Sequence, residues 1–401
     1  VNQSAARARR HTGIALLRYG FRPFFLGAGV WAVIAIAVRL ADVSGFDSGG
    51  FAFHDSTLWH AHAFLFGYAS AVVAGFSLTA VPNWTGRLPI SGTPLLALFC
   101  LWIAGRVALL LPFIPIAAAI AVDAVFLPVL AAVLAREVLA ARNIRNLPVC
   151  ALVLLLGAAN LVFHLEASGV IEPEGHAVRM GVGMLTLLIG LIGGRIVPSF
   201  TNNWFARHRL PRDATSSLFL DRIVHGSSAV AVLAWIAAPF SLFTAAALGI
   251  AFAAHTARLA QWRGWRTRTD ALVAVLHVGY AWIPIGFLLL GASIAFGTPV
   301  PSAGLHALTA GAVGTMTLAV MTRATLGHTG RQLHAGVGTI TIYGAITASA
   351  LSRVAAGFAS DFAAPLLTIS GVLWLVAFAL FVAIYGPMFL TPRLGGEPSP
   401  S

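Results

Sequence analysis

Long apolar runs, broken by short polar stretches, fill the chain from end to end. A helix needs about twenty apolar residues to cross the roughly 30 Å hydrocarbon core of a bilayer. Twelve runs come close to that length, near residues 22–41, 58–81, 93–111, 113–135, 147–167, 176–197, 218–238, 240–258, 270–294, 303–323, 337–358 and 365–390. The pattern predicts an all-α, polytopic membrane protein with twelve transmembrane helices. One short motif recurs within it: HAxxxG occurs as His62-Ala63…Gly67, His176-Ala177…Gly181 and His306-Ala307…Gly311, opening the second, sixth and tenth runs. The copies start 114 and 130 residues apart.

Three copies at matching places point to an internal repeat with a period of four spans. The first and third copies extend further, each followed 23 residues later by Thr-Gly-Arg (Thr85-Gly86-Arg87 and Thr329-Gly330-Arg331). The second diverges at its inner end, where Gly194-Arg195 precedes Pro198, Phe200 and Thr201. The expected organisation is a single membrane domain over 1–401: a cytoplasmic segment 1–21, four-helix units at 22–145, 146–268 and 269–390, and a cytoplasmic tail 391–401. A period of four argues against the 3+3 and 6+6 repeats of common secondary transporters. At the level of fold alone, three four-helix units in pseudo-threefold arrangement resemble the catalytic subunit of haem-copper oxidases, which also carry metal-binding histidines on spans 2, 6 and 10.

Composition agrees with the pattern. The chain is 58% hydrophobic and 9% charged, against roughly 25% charged residues in soluble domains. The net charge of +12 comes wholly from arginine, and such an excess belongs to the cytoplasmic loops of membrane proteins without implying nucleic acid. Arginine collects at the N-terminus (Arg7, Arg9, Arg10) and at the ends of even-numbered spans (Arg87, Arg136, Arg142, Arg145, Arg207, Arg209, Arg212, Arg258, Arg263, Arg266, Arg268, Arg331, Arg393). The opposite loops carry Asp42, Asp47, Asp55, Glu172, Glu174 and Asp361. Both termini are therefore expected in the cytoplasm. Cys100 and Cys150 fall in different spans and imply no disulfide framework.

The 13 histidines sort by depth. His60, His62, His164, His176 and His306 fall in the outer third of their spans, with His54 just outside and His277 nearer the midplane. His225, His255, His328 and His334 lie at inner ends, and His11 and His208 in cytoplasmic segments. Ionisable groups within a membrane are costly and face the bundle interior, and imidazole is the commonest ligand of haem iron and copper. Five histidines in one layer can converge on metal. His60 and His62 stand about 200° apart on a helix and cannot share one metal, unless the helix starts at His62. Arg106 and Asp123 sit within spans 3 and 4 as a buried ion pair or, for Asp123, a proton relay. Glu166 either orients His164 from behind or anchors the interface. Arg195 and Arg323 either hold a haem propionate or snorkel to lipid phosphate. The Gly190, Gly193, Gly194 cluster is expected to allow close helix packing.

These residues resemble a known family. RYGFRPFFL, WHAHAFLFGYASAVVAGFSLTAVPNWTGR, GGRIVPSFTNNW, LHVGYAWIP and LHALTAGAVGTMTLAVMTRATLGHTGR look like the NnrS family over essentially the whole chain. The resemblance implies a haem- and copper-containing protein of the bacterial inner membrane, tied to denitrification and the nitric oxide response. It puts His60, His62, His164, His277, His306 and His328 at motif positions, and Ala63 stands where a glutamate is common. The function expected is binding and detoxification of nitric oxide at haem b and copper, most concretely reduction to nitrous oxide with membrane quinol as donor, since no CxxCH motif is present. A non-catalytic buffer of nitric oxide and a metal transporter are the alternatives. The expected haem ligands are His306 with His60 or His62; His164 and the remaining span 2 histidine are expected on copper, and His277 on either centre. Asp123 and Glu166 are the expected proton-handling groups.

Overall fold

A computed structural model describes residues 13–46, 55–111, 113–298 and 301–394. Arg7, Arg9, Arg10, His11, Asp47 and His54 lie outside the described residues. The described chain contains no strand. Its long helices are α1 Phe21–Val43, α2 Ser56–Thr85, α3 Thr93–Ala108, α4 Ile116–Ala140, α5 Leu147–Ala167, α6 His176–Arg207, α7 Leu218–Ala237, α8 Leu242–Gln261, α9 Ala271–Phe296, α10 Pro301–His328, α11 Val337–Ala355 and α12 Ala363–Leu390. A helix satisfies every backbone group within its own segment, which lipid demands. Ten of them are long and apolar enough to cross a membrane, so the protein is multi-pass. The other two depart from the expected twelve spans for visible reasons. α3 has only 16 residues, and α11, with 19, carries Thr339, Thr341, Ser349, Ser352 and Arg353. Large apolar side chains such as Leu154, Phe243 and Ile250 are more than half exposed, as a lipid-facing surface requires.

The chain divides into two compact bodies: residues 1–178, 321–333 and 378–401, and residues 179–320 and 334–377. In the first, α1 packs along α2, and α4 packs against α2, α3 and α5. Arg22 of the RYGFRPFFL stretch is buried, and its Nη1 donates to the carbonyls of Phe389 and Thr391 at 2.8 Å, meeting the open acceptors at the end of α12. In the second body, α8 packs against α7 and α9, and α10 against α9 and α11.

Neither α2 nor α10 is a plain α-helix. Directly after His62 the turn widens into a π-helix over Ala63–Tyr68, and directly after His306 it does so over Ala307–Gly314. Such segments cluster at functional sites. In both, the glycine of HAxxxG lies under an indole from the preceding helix. A Cβ on Gly67 would stand 2.5 Å from Trp31 Nε1, and one on Gly311 would stand 2.5 Å from Trp282 Cδ2. Both helices then end on a left-handed glycine of the Thr-Gly-Arg extension, Gly86 at φ +69° and Gly330 at φ +76°, a conformation that glycine adopts without a Cβ penalty. The second copy shares none of this: α6 runs as regular α-helix from His176 to Arg207. The first and third copies thus share one device: a π-segment with its glycine under an indole, and a helix end on a left-handed glycine.

A bulky side chain at either glycine must displace a buried indole. Gly67→Val and Gly311→Val are each expected to cost about 1–3 kcal/mol by overpacking. Gly226→Ala, whose Cβ would meet nothing within 4 Å, is the control and should raise the thermal midpoint slightly. Unfolding of the detergent-solubilised protein measures all three.

Candidate metal centre

Four buried polar residues of the first body meet at Asp123, in the first half of α4. Gly105 lets α3 come close: a Cβ there would lie 3.0 Å from Asp123 Cα. The next residue, Arg106, then reaches the carboxylate, its Nη2 paired with Asp123 Oδ1. On α5, Asn160 and His164 are four residues apart and so share a face; Asn160 Nδ2 donates to Asp123 Oδ2 at 2.8 Å, and His164 Nε2 lies 2.9 Å from the same oxygen. From α2, His62 Nε2 is 3.0 Å from Asp123 Oδ2 and 3.1 Å from Asn160 Oδ1. All five residues are buried, with exposures of 5% or less.

Oxygen acceptors surround both imidazole Nε2 atoms, so those nitrogens carry hydrogen in this arrangement and Asp123 Oδ2 accepts from three donors. Such convergence offsets the large cost of burying a carboxylate. The same atoms suit a metal. His62, Asp123 and His164 each offer one ligand atom, all within 4.8 Å of one another. Two ligand atoms each about 2.1 Å from one ion stand roughly 3–3.5 Å apart, close to the separations seen. Exchange of the two Nε2 hydrogens for one ion, with each imidazole proton moved to Nδ1, would need only small shifts.

The structure sorts the remaining candidates. α2 begins at Ser56, capped by Asp55 Oδ1 on the amides of Thr57 and Leu58, so His60 and His62 are both helical and face different ways. His62 joins Asp123, while half-buried His60 has its ring 4.9 Å from that of Phe64. Glu166 does not support His164. Its carboxylate accepts the backbone amides of His176 at 2.8 Å and Ala177 at 3.3 Å, so it caps the N-terminus of α6, where negative charge is favoured. Of the two expected proton-handling groups, only Asp123 therefore lies at the cluster. His176, beside Glu166 and Glu174, stays at the helix entrance.

The other candidates are spread through both bodies. His306 Nδ1 lies 2.7 Å from the carbonyl of Ser302. A carbonyl only accepts, so Nδ1 carries the hydrogen and Nε2 is the lone-pair nitrogen, the orientation that backbone carbonyls impose on metal-bound histidines. His277, also in the second body, is held differently. Thr201 Oγ1 donates to the Val197 carbonyl, so His277 Nε2 donates to Thr201 at 2.8 Å. A Cβ on Gly264 would lie 2.4 Å from His277 Nδ1. A metal at that nitrogen would have to displace the turn Gly264–Thr267. His328 packs on Phe21 at 5.4 Å between ring centres. Arg323 is buried in the first body and Arg195 half-buried in the second.

A second polar network was not foreseen from the sequence. Arg258, 2% exposed, donates from Nη1 to the Gly190 carbonyl at 3.0 Å and to Tyr280 Oη at 3.2 Å, and its Nη2 pairs with Asp221 at 2.8 Å. Tyr280 Oη is 2.9 Å from His255 Nδ1. A Cβ on Gly194 would stand 2.1 Å from Arg258 Nη2. The glycine cluster of α6 therefore makes room for a guanidinium, beyond the helix packing expected of it.

Residues 15–393 match the profile of the NnrS family, described as NnrS protein. Among curated proteins, none matches the chain. With nearly its whole length covered, this multi-pass protein belongs to the NnrS family, which links it to the nitric oxide response.

Proposed function

We propose that the protein binds and disposes of nitric oxide at a copper held by His62, His164 and Asp123, together with a haem b held through His306. The observation that carries this reading is the convergence of two imidazoles and a carboxylate inside the first body. In its most concrete form, two nitric oxide molecules, two electrons and two protons give nitrous oxide and water. When bound, haem iron and copper would supply the metal sites at which nitric oxide binds and the redox chemistry that the side chains lack.

The chain's own residues hold and orient. Ser302 fixes the His306 ring, and Asp123 fixes both imidazoles of the cluster. Nitric oxide, small and uncharged, reaches a buried site through lipid; protons do not. Asp123, in contact with both His62 and His164, is spent as a ligand in this reading, so the protons arrive by another route. Electrons are taken from membrane quinol in this reading. The protein sits in the bacterial inner membrane with both termini in the cytoplasm, as the arginine distribution favours.

The test is direct. The purified protein should show a Soret band and copper in stoichiometric amount, and should form nitrous oxide from nitric oxide and a quinol. His306→Ala should remove the haem absorbance and leave copper in place; His164→Ala should do the reverse. No Soret band sinks the haem assignment. A Soret band and copper without nitrous oxide overturns the reductase reading in favour of a nitric oxide buffer.

A further inference from the structure

We propose that Arg106 sets the charge of the metal that the His62–Asp123–His164 cluster accepts, making it a site for monovalent copper and excluding divalent ions. The inference rests on the reading of that cluster as a metal site. Taken alone, two histidines and one carboxylate are a donor set for divalent ions, as in non-haem iron and catalytic zinc centres. Arg106 changes the sum. Its guanidinium occupies Asp123 Oδ1, leaving only Oδ2 to face the imidazoles. A guanidinium does not lose its proton in proteins, so its charge is permanent.

Nor can it swing away. Arg106 is 5% exposed, and its Nη1 donates at 3.0 Å to the Phe66 carbonyl within the first π-segment. Its Cζ lies 6.0 Å from the Trp102 ring centre. The contacts of Asp123 are Arg106, His62, Asn160 and His164, and none adds a second negative charge. With neutral imidazoles, the site sums to zero before any ion enters.

The cost of burying an ion rises with the square of its charge, so an uncompensated divalent ion costs roughly four times a monovalent one. A site of zero charge therefore rejects divalent ions first. Among the transition metals that imidazole binds, copper is the one with an accessible monovalent state. The π-segment gains a purpose here, since it turns out the carbonyl that holds Arg106 in place.

The full chain, purified in detergent and stripped with a chelator, is titrated anaerobically with Cu(I) against a competing Cu(I) chelator, and separately with Zn(II). The wild type should favour Cu(I) over Zn(II) by at least about 100-fold, and His164→Ala should lose both. Arg106→Gln removes the positive charge and leaves the site at −1; its Zn(II) affinity should rise at least about tenfold, while Arg106→Lys keeps the wild-type preference. A preference that ignores these charge changes overturns the role of Arg106 and leaves the metal site standing. No metal of either kind in the wild type overturns the metal site and this inference together. If Arg106→Gln does not fold, the wild-type ratio decides: Zn(II) bound as tightly as Cu(I) ends the proposal.

Discussion

Asp123→Asn is expected to lower stability by about 3–5 kcal/mol and to abolish the metal site. The amide keeps one acceptor oxygen but loses the charge that neutralises Arg106, and a guanidinium that is 5% exposed is then buried without a counter-ion. The imidazoles of His62 and His164 lose the anion that orients them. Stability and site can be separated by a second variant. Arg106→Met/Asp123→Leu removes both charges at similar volume, and replacement of a buried ion pair by apolar groups is close to neutral for stability. That double variant should unfold near the wild-type temperature with no metal bound. A thermal midpoint as low as that of Asp123→Asn would mean that the ion pair itself holds α3 on α4. Wild-type stability in Asp123→Asn would mean that Arg106 has another counter-charge.

Much of this site was legible in the chain, because each charge within an apolar run must find a partner. Arg106 and Asp123, both within apolar runs, offered a buried ion pair beside the alternative of a proton relay, and the 200° between His60 and His62 kept them from one metal unless the helix started at His62. The first and third HAxxxG copies could be told from the second by their Thr-Gly-Arg tails, and the structure gives just those two a π-segment. Other features had no one-dimensional signal. A π-segment holds one residue more than an α-helix over the same rise, and Gly181 stands at the same spacing in the copy that stays regular. Asn160 was missed although it lies one turn before His164 on the same face. Glu166 was read beside His164 because they are neighbours in sequence; in space its carboxylate faces the N-terminus of α6. The network of Arg258, Tyr280 and His255 escaped because its residues come from separate helices whose contact depends on the glycines of α6. Span count differed where short length (α3) or hydroxyl-rich composition (α11) weakens a helix as a membrane crossing.

Deleting Phe64 from the first π-segment is the second change with a large expected effect. Removal of one residue lets the helix close to regular α geometry while the flanking turns keep their faces, so His62 still points toward Asp123. The carbonyls between rotate away. Three buried donors from neighbouring helices now depend on them: Trp31 Nε1 on Ala63 at 2.8 Å, Arg106 Nη1 on Phe66 at 3.0 Å and Trp102 Nε1 on Gly67 at 3.0 Å. A buried donor left without an acceptor costs about 1–3 kcal/mol, so the three together should cost at least about 3 kcal/mol. Helical content by circular dichroism should stay unchanged, and the tryptophan emission should shift as two indoles lose their partners. The deletion also frees one side of Arg106, so metal should still bind but with a weakened preference for Cu(I). If the deleted protein is as stable as the wild type, the wide turn is not what holds Trp31, Trp102 and Arg106. If it loses metal altogether, the segment sets the direction of His62 as well.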